Sequence, residues 1–268
     1  MSQVETGKVT SEDGTTIVFD RTGEGPPVIL VAGALNDRRA GAALAGLLAP
    51  SFAAYTYDRR GRGDSGDTPP YAVEREVEDL EAVVAEAGVP AFLMGHSSGA
   101  ALVIESAARI AGVGRMALYE PPYNVDDARP PIPKDYVAHL DRLVAQGRRG
   151  DAVEYFMVSG VGLPPEAVAQ MRGAPFWPSL EAVADTLPYD GRVMGFDRAD
   201  RALPVERWKA ISARALVMDG DASPAWSRNA VRTVADALPN AERRTLAGQT
   251  HEVDPAVLAP VLVEFFVG

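Results

Sequence analysis

The chain predicts an α/β protein with a mostly parallel central sheet flanked by helices, and three observations carry that expectation. Short apolar runs without polar alternation, Val28-Ile29-Leu30-Val31, Ala53 to Tyr57 and Ala91-Phe92-Leu93-Met94, have the pattern of strands buried on both faces. Between the last two, Val73, Val77, Leu80 and Val84 recur at helical spacing along one face. Strands that alternate with helices in this way form parallel sheets through right-handed crossovers. Finally, the alternation stops at Pro121 and resumes after Leu203, which marks an insertion.

The elements follow in order. Two β-prone runs, 4–10 and 16–22, are joined by Glu12-Asp13-Gly14, a hairpin signal. After the three buried strands, a helix is predicted from Ser97 through Ile110, then a strand over Met116-Ala117-Leu118-Tyr119. Residues 121–203 are rich in Pro, Arg and aromatics, with helix-like segments near 136–146, 151–158, 166–171 and 180–186 and no buried strand. They read as a helical cap on a core formed by residues 1–120 and 204–268. The cap would cover the C-terminal edge of the sheet, where open α/β sheets bind ligands. The core closes with a strand at 213–218, a helix at 224–238, a strand at 242–246 and a terminal helix. In that helix Asp254-Pro255 resembles an N-cap followed by Pro at the first position. Pro260 would then lie inside it at a cost of roughly 3 kcal/mol, so the regular helix is predicted to start nearer Val257.

Composition narrows the function. A net charge of −11 argues against nucleic-acid binding, because phosphate contacts need a basic surface. No apolar run is long enough to span a membrane. The opening segment, MSQVETGKVT, lacks the basic and apolar regions of a signal peptide, so a cytoplasmic location is the default expectation. With no cysteine, disulfides and thiolate chemistry are excluded. Three histidines without a His-x-x-x-His pair make a metal site improbable, and no cofactor is expected. Gly61-Arg62-Gly63-Asp64-Ser65-Gly66 has the spacing of a dinucleotide fingerprint, but Thr68-Pro69-Pro70 follows where a helix would have to open. The basic stretch 59–62 is instead expected to pair with carboxylates or carbonyls as a structural loop.

The chemistry is concentrated in Gly95-His96-Ser97-Ser98-Gly99. A strand ends at this pentapeptide and Gly99-Ala100-Ala101-Leu102 opens a helix. So sharp a turn strains the serine backbone and leaves no room for side chains at Gly95 and Gly99. The Ser97 hydroxyl is thereby held at the top of the sheet, beside a helix N-terminus that favours developing negative charge.

On these residues the chain resembles the α/β-hydrolase superfamily, in its single-cap esterase, haloperoxidase and dehalogenase-like branch. The likeness includes the leading hairpin, Val28 to Gly33, the loop Tyr57-Asp58-Arg59-Arg60-Gly61-Arg62-Gly63-Asp64-Ser65, the elbow at Ser97 and a histidine after the last strand. It implies Ser97 as nucleophile and His251, in Gly248-Gln249-Thr250-His251, as general base. A serine needs an adjacent imidazole to be activated. His96 is expected to leave on the other side of the turn and pack, and His139 to face solvent.

The acid departs from the family pattern. Many members read Gly-x-x-Asp after the penultimate strand, whereas Gly220-Asp221-Ala222-Ser223-Pro224 puts Ser223 at that position, where it suits an N-cap. Glu120, directly after Met116–Tyr119, matches the place where haloalkane dehalogenases carry a glutamate and keeps the order Ser, acid, His. Asp221 and Asp219 are the alternatives, along with a water or no acid. The oxyanion donors implied are the N–H groups of Ser98 and Ala34, with Leu35 as fallback. In this loop Ala32 replaces the family's usual histidine. Leu35, Tyr123, Phe176 and Trp177 are candidates for lining the substrate pocket, the last three alternatively for ordinary packing within the cap.

The resemblance therefore implies a serine hydrolase acting on a small-molecule carboxylic ester or lactone through an acyl-enzyme. A serine in this position argues against dehalogenase or epoxide hydrolase chemistry, which in this family uses an aspartate. Thioesters, C–C bonds, perhydrolysis, and cyclase or acyltransferase chemistry with the same triad are the other reactions considered. A non-catalytic ligand-binding protein on the same fold is the rival from another class.

Overall fold

The computed structural model describes residues 3–129, 131–198 and 203–268. Among them runs an eight-stranded sheet in the order β1-β2-β4-β3-β5-β6-β7-β8. Its strands are β1 (Val4–Thr10), β2 (Thr16–Thr22), β3 (Pro27–Val31), β4 (Ala53–Tyr57), β5 (Ala91–His96), β6 (Val113–Tyr119), β7 (Arg214–Gly220) and β8 (Ala241–Leu246). β1 pairs with β2 and β2 with β4 antiparallel, and every later pairing is parallel. This is the α/β-hydrolase fold, with the mostly parallel sheet that the apolar runs predicted.

Helices cover both faces. α1 (Ala42–Leu48) and α11 (Pro255–Val267) pack on one, burying Leu44, Leu48, Leu258, Leu262 and Phe266 against Val28, Leu30, Met94 and Met218. α2 (Val73–Ala87), α3 (Ser98–Ala107) and α10 (Ala225–Ala237) pack on the other. In α2 the buried Val77, Leu80 and Val84 form the predicted stripe. α1 was not predicted, because its AALAGLL is short and interrupted by Gly46.

Between β6 and β7 lie only helices among the described residues: α4 (Tyr136–Ala145), α5 (Arg149–Tyr155), a π-helical turn (Phe156–Val161), α6 (Pro165–Met171), α7 (Trp177–Glu181), α8 (Leu187–Val193) and α9 (Val205–Trp208). Pro130 and residues 199–202 of the expected cap lie outside the described residues. The segment's apolar residues, among them Tyr136, Leu140, Trp177 and Leu187, join the core on the α2 and α3 side of the sheet.

Three local expectations are corrected. The sequence placed a helix at 180–186, but α7 ends at Glu181 and α8 starts at Leu187, joined by a 3-10 turn, Ala184–Thr186. The terminal helix starts at Pro255, because the Asp254 side chain accepts the Ala256 N–H and fixes the first turn there. Pro260 is accordingly inside the helix. Ser223 does not cap α10: Pro224 is extended and occupies the N-cap position, so the Ser223 hydroxyl lies one residue too early.

Candidate active site

Ser97 sits between the end of β5 and the start of α3 with φ 57° and ψ −127°. A non-glycine residue there is strained by about 1–3 kcal/mol and persists only where its surroundings enforce it. They do so here. The Ser97 N–H is tied to the Tyr119 carbonyl at 2.9 Å, and a Cβ at Gly95 would lie 2.5 Å from the Ala100 Cα. A Cβ at Gly99 would run into the Val31 carbonyl. The glycines are there because backbone fills the space.

Glu120 is fully buried and also has positive φ, at 45°. Its N–H donates to the Met218 carbonyl at 3.0 Å, fastening the end of β6 to β7. Its Oε2 lies 2.9 Å from His251 Nδ1 and its Oε1 accepts the Gly220 N–H at 3.0 Å. Burial alone would raise the Glu120 pKa. The hydrogen bonds from His251 and Gly220, with the neighbouring Ser223 hydroxyl, outweigh it and hold the carboxyl below its ordinary value. An ionised carboxylate only accepts, so His251 Nδ1 carries the proton and Nε2 is left as the basic nitrogen. Of the candidate acids, Glu120 is the one that meets His251. Asp221 instead accepts the Gly248 N–H at 2.7 Å in an exposed turn, and both carboxylate oxygens of Asp219 are buried without a hydrogen-bond partner among the described residues.

Ser97 and His251 are not within hydrogen-bond geometry of each other among the described residues. Serine–histidine bonds commonly tighten only in the substrate complex. The His251 loop is braced from below by the Tyr119 hydroxyl, which donates to the Thr250 carbonyl at 2.6 Å, and by His96. His96 packs, as expected, but against the site: its Nε2 donates to the His251 carbonyl at 2.9 Å and the two rings are 4.7 Å apart. Burial and the adjacent His251 push the His96 pKa down to about 4, so it braces as a neutral ring.

The Ser98 N–H opens α3 and, like any first helical N–H, has no intrahelical acceptor. The Ala34 N–H donates no hydrogen bond among the described residues, while the Ala34 carbonyl is held by Asn36 Nδ2 at 2.8 Å. Leu35 follows with φ 59°. Positive φ outside glycine is confined, among the described residues, to Leu35, Ser97 and Glu120, one in each of the three loops where the sequence places oxyanion donor, nucleophile and acid.

The family model for the alpha/beta hydrolase family matches residues 28–261. The chain belongs to that family. An alpha/beta hydrolase from Sphaerobacter thermophilus is 58% identical to it, with 97% of this chain and 100% of that one covered and a TM-score of 0.91. A thermophilic esterase from Thermogutta terrifontis (22% identity, 98% of each chain, TM-score 0.72) and an esterase from Exiguobacterium antarcticum (18%, 97% and 99%, TM-score 0.72) share the fold. No curated protein matches the chain.

In this alpha/beta hydrolase the basic loop after β4 is a buried ionic cluster. Arg59 is held by Glu76 at 2.6 and 2.8 Å and by Asp190 at 2.8 Å, and Arg62 meets Asp190 at 2.8 and 3.0 Å. Two cations and two carboxylates balance. Burial would raise the Asp190 pKa, but Arg62, Arg59 and the Ser98 hydroxyl hold it below its ordinary value. Sequence reading found the arginines but missed Asp190. The available signal was the charge of the loop itself, since buried arginines require acids elsewhere.

The expected pocket residues divide. Tyr123 is buried beside Trp208, with rings 5.5 Å apart, and Trp177 is buried with its Nε1 donating to Glu181 at 2.8 Å. Phe176 is 47% exposed. None of the three touches Ser97, Glu120 or His251 through a hydrogen bond or ring contact among the described residues. His139, on α4, is half-buried against Tyr155. Among the described residues no cluster of His, Asp and Glu could hold a metal ion, and no helix is long and apolar enough to cross a membrane.

Proposed function

We propose that this alpha/beta hydrolase is a serine hydrolase of carboxylic esters or lactones, working through an acyl-enzyme with Ser97, His251 and Glu120 as its triad. The carrying observation is the buried Glu120 carboxylate 2.9 Å from His251 Nδ1, with the His251 ring 4.7 Å from that of His96, the residue before a serine held at φ 57°. The rival of a non-catalytic binding protein expected no acid in reach of His251, and Glu120 counts against it. The esterase likeness of the Thermogutta and Exiguobacterium proteins is consistent with an ester substrate but extends only to fold.

The residues would act as follows. His251 Nε2 takes the Ser97 proton as Oγ bonds to the substrate carbonyl carbon, and the carbonyl electron pair moves onto oxygen. The Ala34 and Ser98 N–H groups receive that oxyanion, a contribution usually the largest in acyl transfer. Collapse breaks the bond to the alkoxy group, which leaves with the proton from His251. Water then attacks the acyl-enzyme by the same route. Residues 121–203 act as the cap that shapes the substrate site, in the manner of the single-cap esterase branch.

A fluorophosphonate probe should label the wild type at Ser97 within minutes and leave Ser97→Ala unlabelled. An unlabelled wild type, or a labelled Ser97→Ala, would overturn the reading.

A further inference from the structure

One carboxylate from the helical segment reaches both expected oxyanion donors. Asp190, on α8, is buried and accepts the Ser98 hydroxyl at 2.7 Å. The Ser98 N–H is the first donor, so this bond fixes the residue that carries it. Asp190 also binds the Arg62 guanidinium through both oxygens, at 2.8 and 3.0 Å. Arg62 Nη1 in turn donates to the Gly33 carbonyl at 2.6 Å and to the Asn36 carbonyl at 3.2 Å, while its Nε meets the Thr186 hydroxyl at 3.0 Å.

The Gly33 carbonyl and the Ala34 N–H belong to one peptide group. That unit is planar and trans, so its carbonyl and its N–H point in opposite directions and turn together. A guanidinium pinning the carbonyl therefore sets the aim of the N–H. It also polarises the amide, which makes the N–H a stronger donor. Arg59, bound to the same Asp190 at 2.8 Å and to the Ala32 carbonyl at 3.3 Å, holds the preceding residue of the loop.

We propose that Asp190 is a positioning residue for the oxyanion hole: it aims the Ser98 donor through the Ser98 hydroxyl and the Ala34 donor through Arg62 and the Gly33 carbonyl. The helical segment is then part of the catalytic apparatus as well as a cover for it. This rests on the serine-hydrolase reading above. It adds that the segment's seating and the site's transition-state affinity are one variable.

The test uses the full chain, a chromogenic ester and a boronic acid that mimics the tetrahedral adduct. Ser98→Ala removes only the hydroxyl, and Asp190→Asn keeps the shape while removing the charge. Deleting an oxyanion donor outright costs about 10²–10³ in kcat, so misaiming two should cost about 10–100-fold in Asp190→Asn. KM should stay within about threefold, since the donors act on the transition state rather than the ground state. Boronate affinity should fall by the same factor as kcat. Ser98→Ala should lose about three- to tenfold, and the double variant should lose less than the product of the two, because both changes act on one donor. Wild-type kcat and boronate affinity in both folded single variants, with only the melting temperature lowered, would overturn the inference and leave a structural brace. If Asp190→Asn does not fold, Ser98→Ala decides the question by the same two readouts. Fluorophosphonate labelling of Ser97 in the variants separates this failure from that of the parent reading, whose loss in the wild type would remove both.

Discussion

β6 and β7 lie side by side and both have acidic residues at or just past their C-terminal ends, yet only Glu120, after β6, meets His251. Glu120 follows β6 and holds His251, whereas Asp219 within β7 is buried with neither oxygen hydrogen-bonded among the described residues, and Asp221 serves a surface turn. Strand periodicity explains the difference. Side chains alternate between faces: Ala215 and Val217 point to the α3 and α10 face, and Leu216 and Met218 to the α1 and α11 face. Asp219 falls on the first face. Tyr119 and His96, which brace the His251 loop, belong with the second. Glu120 would also fall on the wrong face, but its left-handed backbone breaks the alternation and redirects the side chain. An acid at a strand end thus becomes useful through its dihedral angle as much as its position.

The largest test of this contrast is Glu120→Gln. It keeps the shape but removes the charge that stabilises the imidazolium and fixes its tautomer, so kcat should fall by about 10³–10⁴ in steady-state ester hydrolysis. A loss under tenfold would return the role to Asp219 or Asp221. A second test concerns the brace. His96 is neutral in the folded protein down to about pH 4, whereas an unfolded histidine titrates near 6.5. Between those values the unfolded chain binds the extra proton, so His96 makes stability fall as pH drops from about 6.5 to 4 and contributes no slope above that window. In urea unfolding at pH 5 and pH 7.5, His96→Gln should lower the loss between the two, and an unchanged loss would show that His96 is not held neutral in the folded protein. The smallest effect belongs to the turn after β7: Asp221→Asn should leave kcat within about twofold, because an exposed turn bond contributes about 1 kcal/mol or less to stability and none to His251. A hundredfold loss would contradict the geometry.

The strands were legible because runs such as Val28 to Val31 are apolar throughout, and only a sheet covered on both faces needs that. The elbow was legible because backbone crowding forces glycine at 95 and 99. Glu120 could be read as the leading acid from its place after β6, with Asp221 and Asp219 as alternatives, but nothing in the sequence reports the positive φ that turns its side chain to His251. Asp190 was invisible for another reason. Its partners lie about 90 to 130 positions away in the chain, and a lone Asp in Leu187-Pro188-Tyr189-Asp190-Gly191 has no local role to betray it. His96 had a readable signal that alternation supplies: it shares a strand face with Met94 and Phe92, not with the residues under α3.

The donor to Glu120 Oε1 is the Gly220 N–H, a main-chain group. No side-chain replacement at 220 deletes it, save proline, which has no N–H. A Cβ at 220 would meet the Gln249 carbonyl oxygen at 2.1 Å, so any side chain there displaces the donor by moving the backbone instead. Glycine at 220 is thus required for the space it leaves as much as for the N–H it offers, and the seam between β6 and β7 constrains the sequence at a position with no side chain.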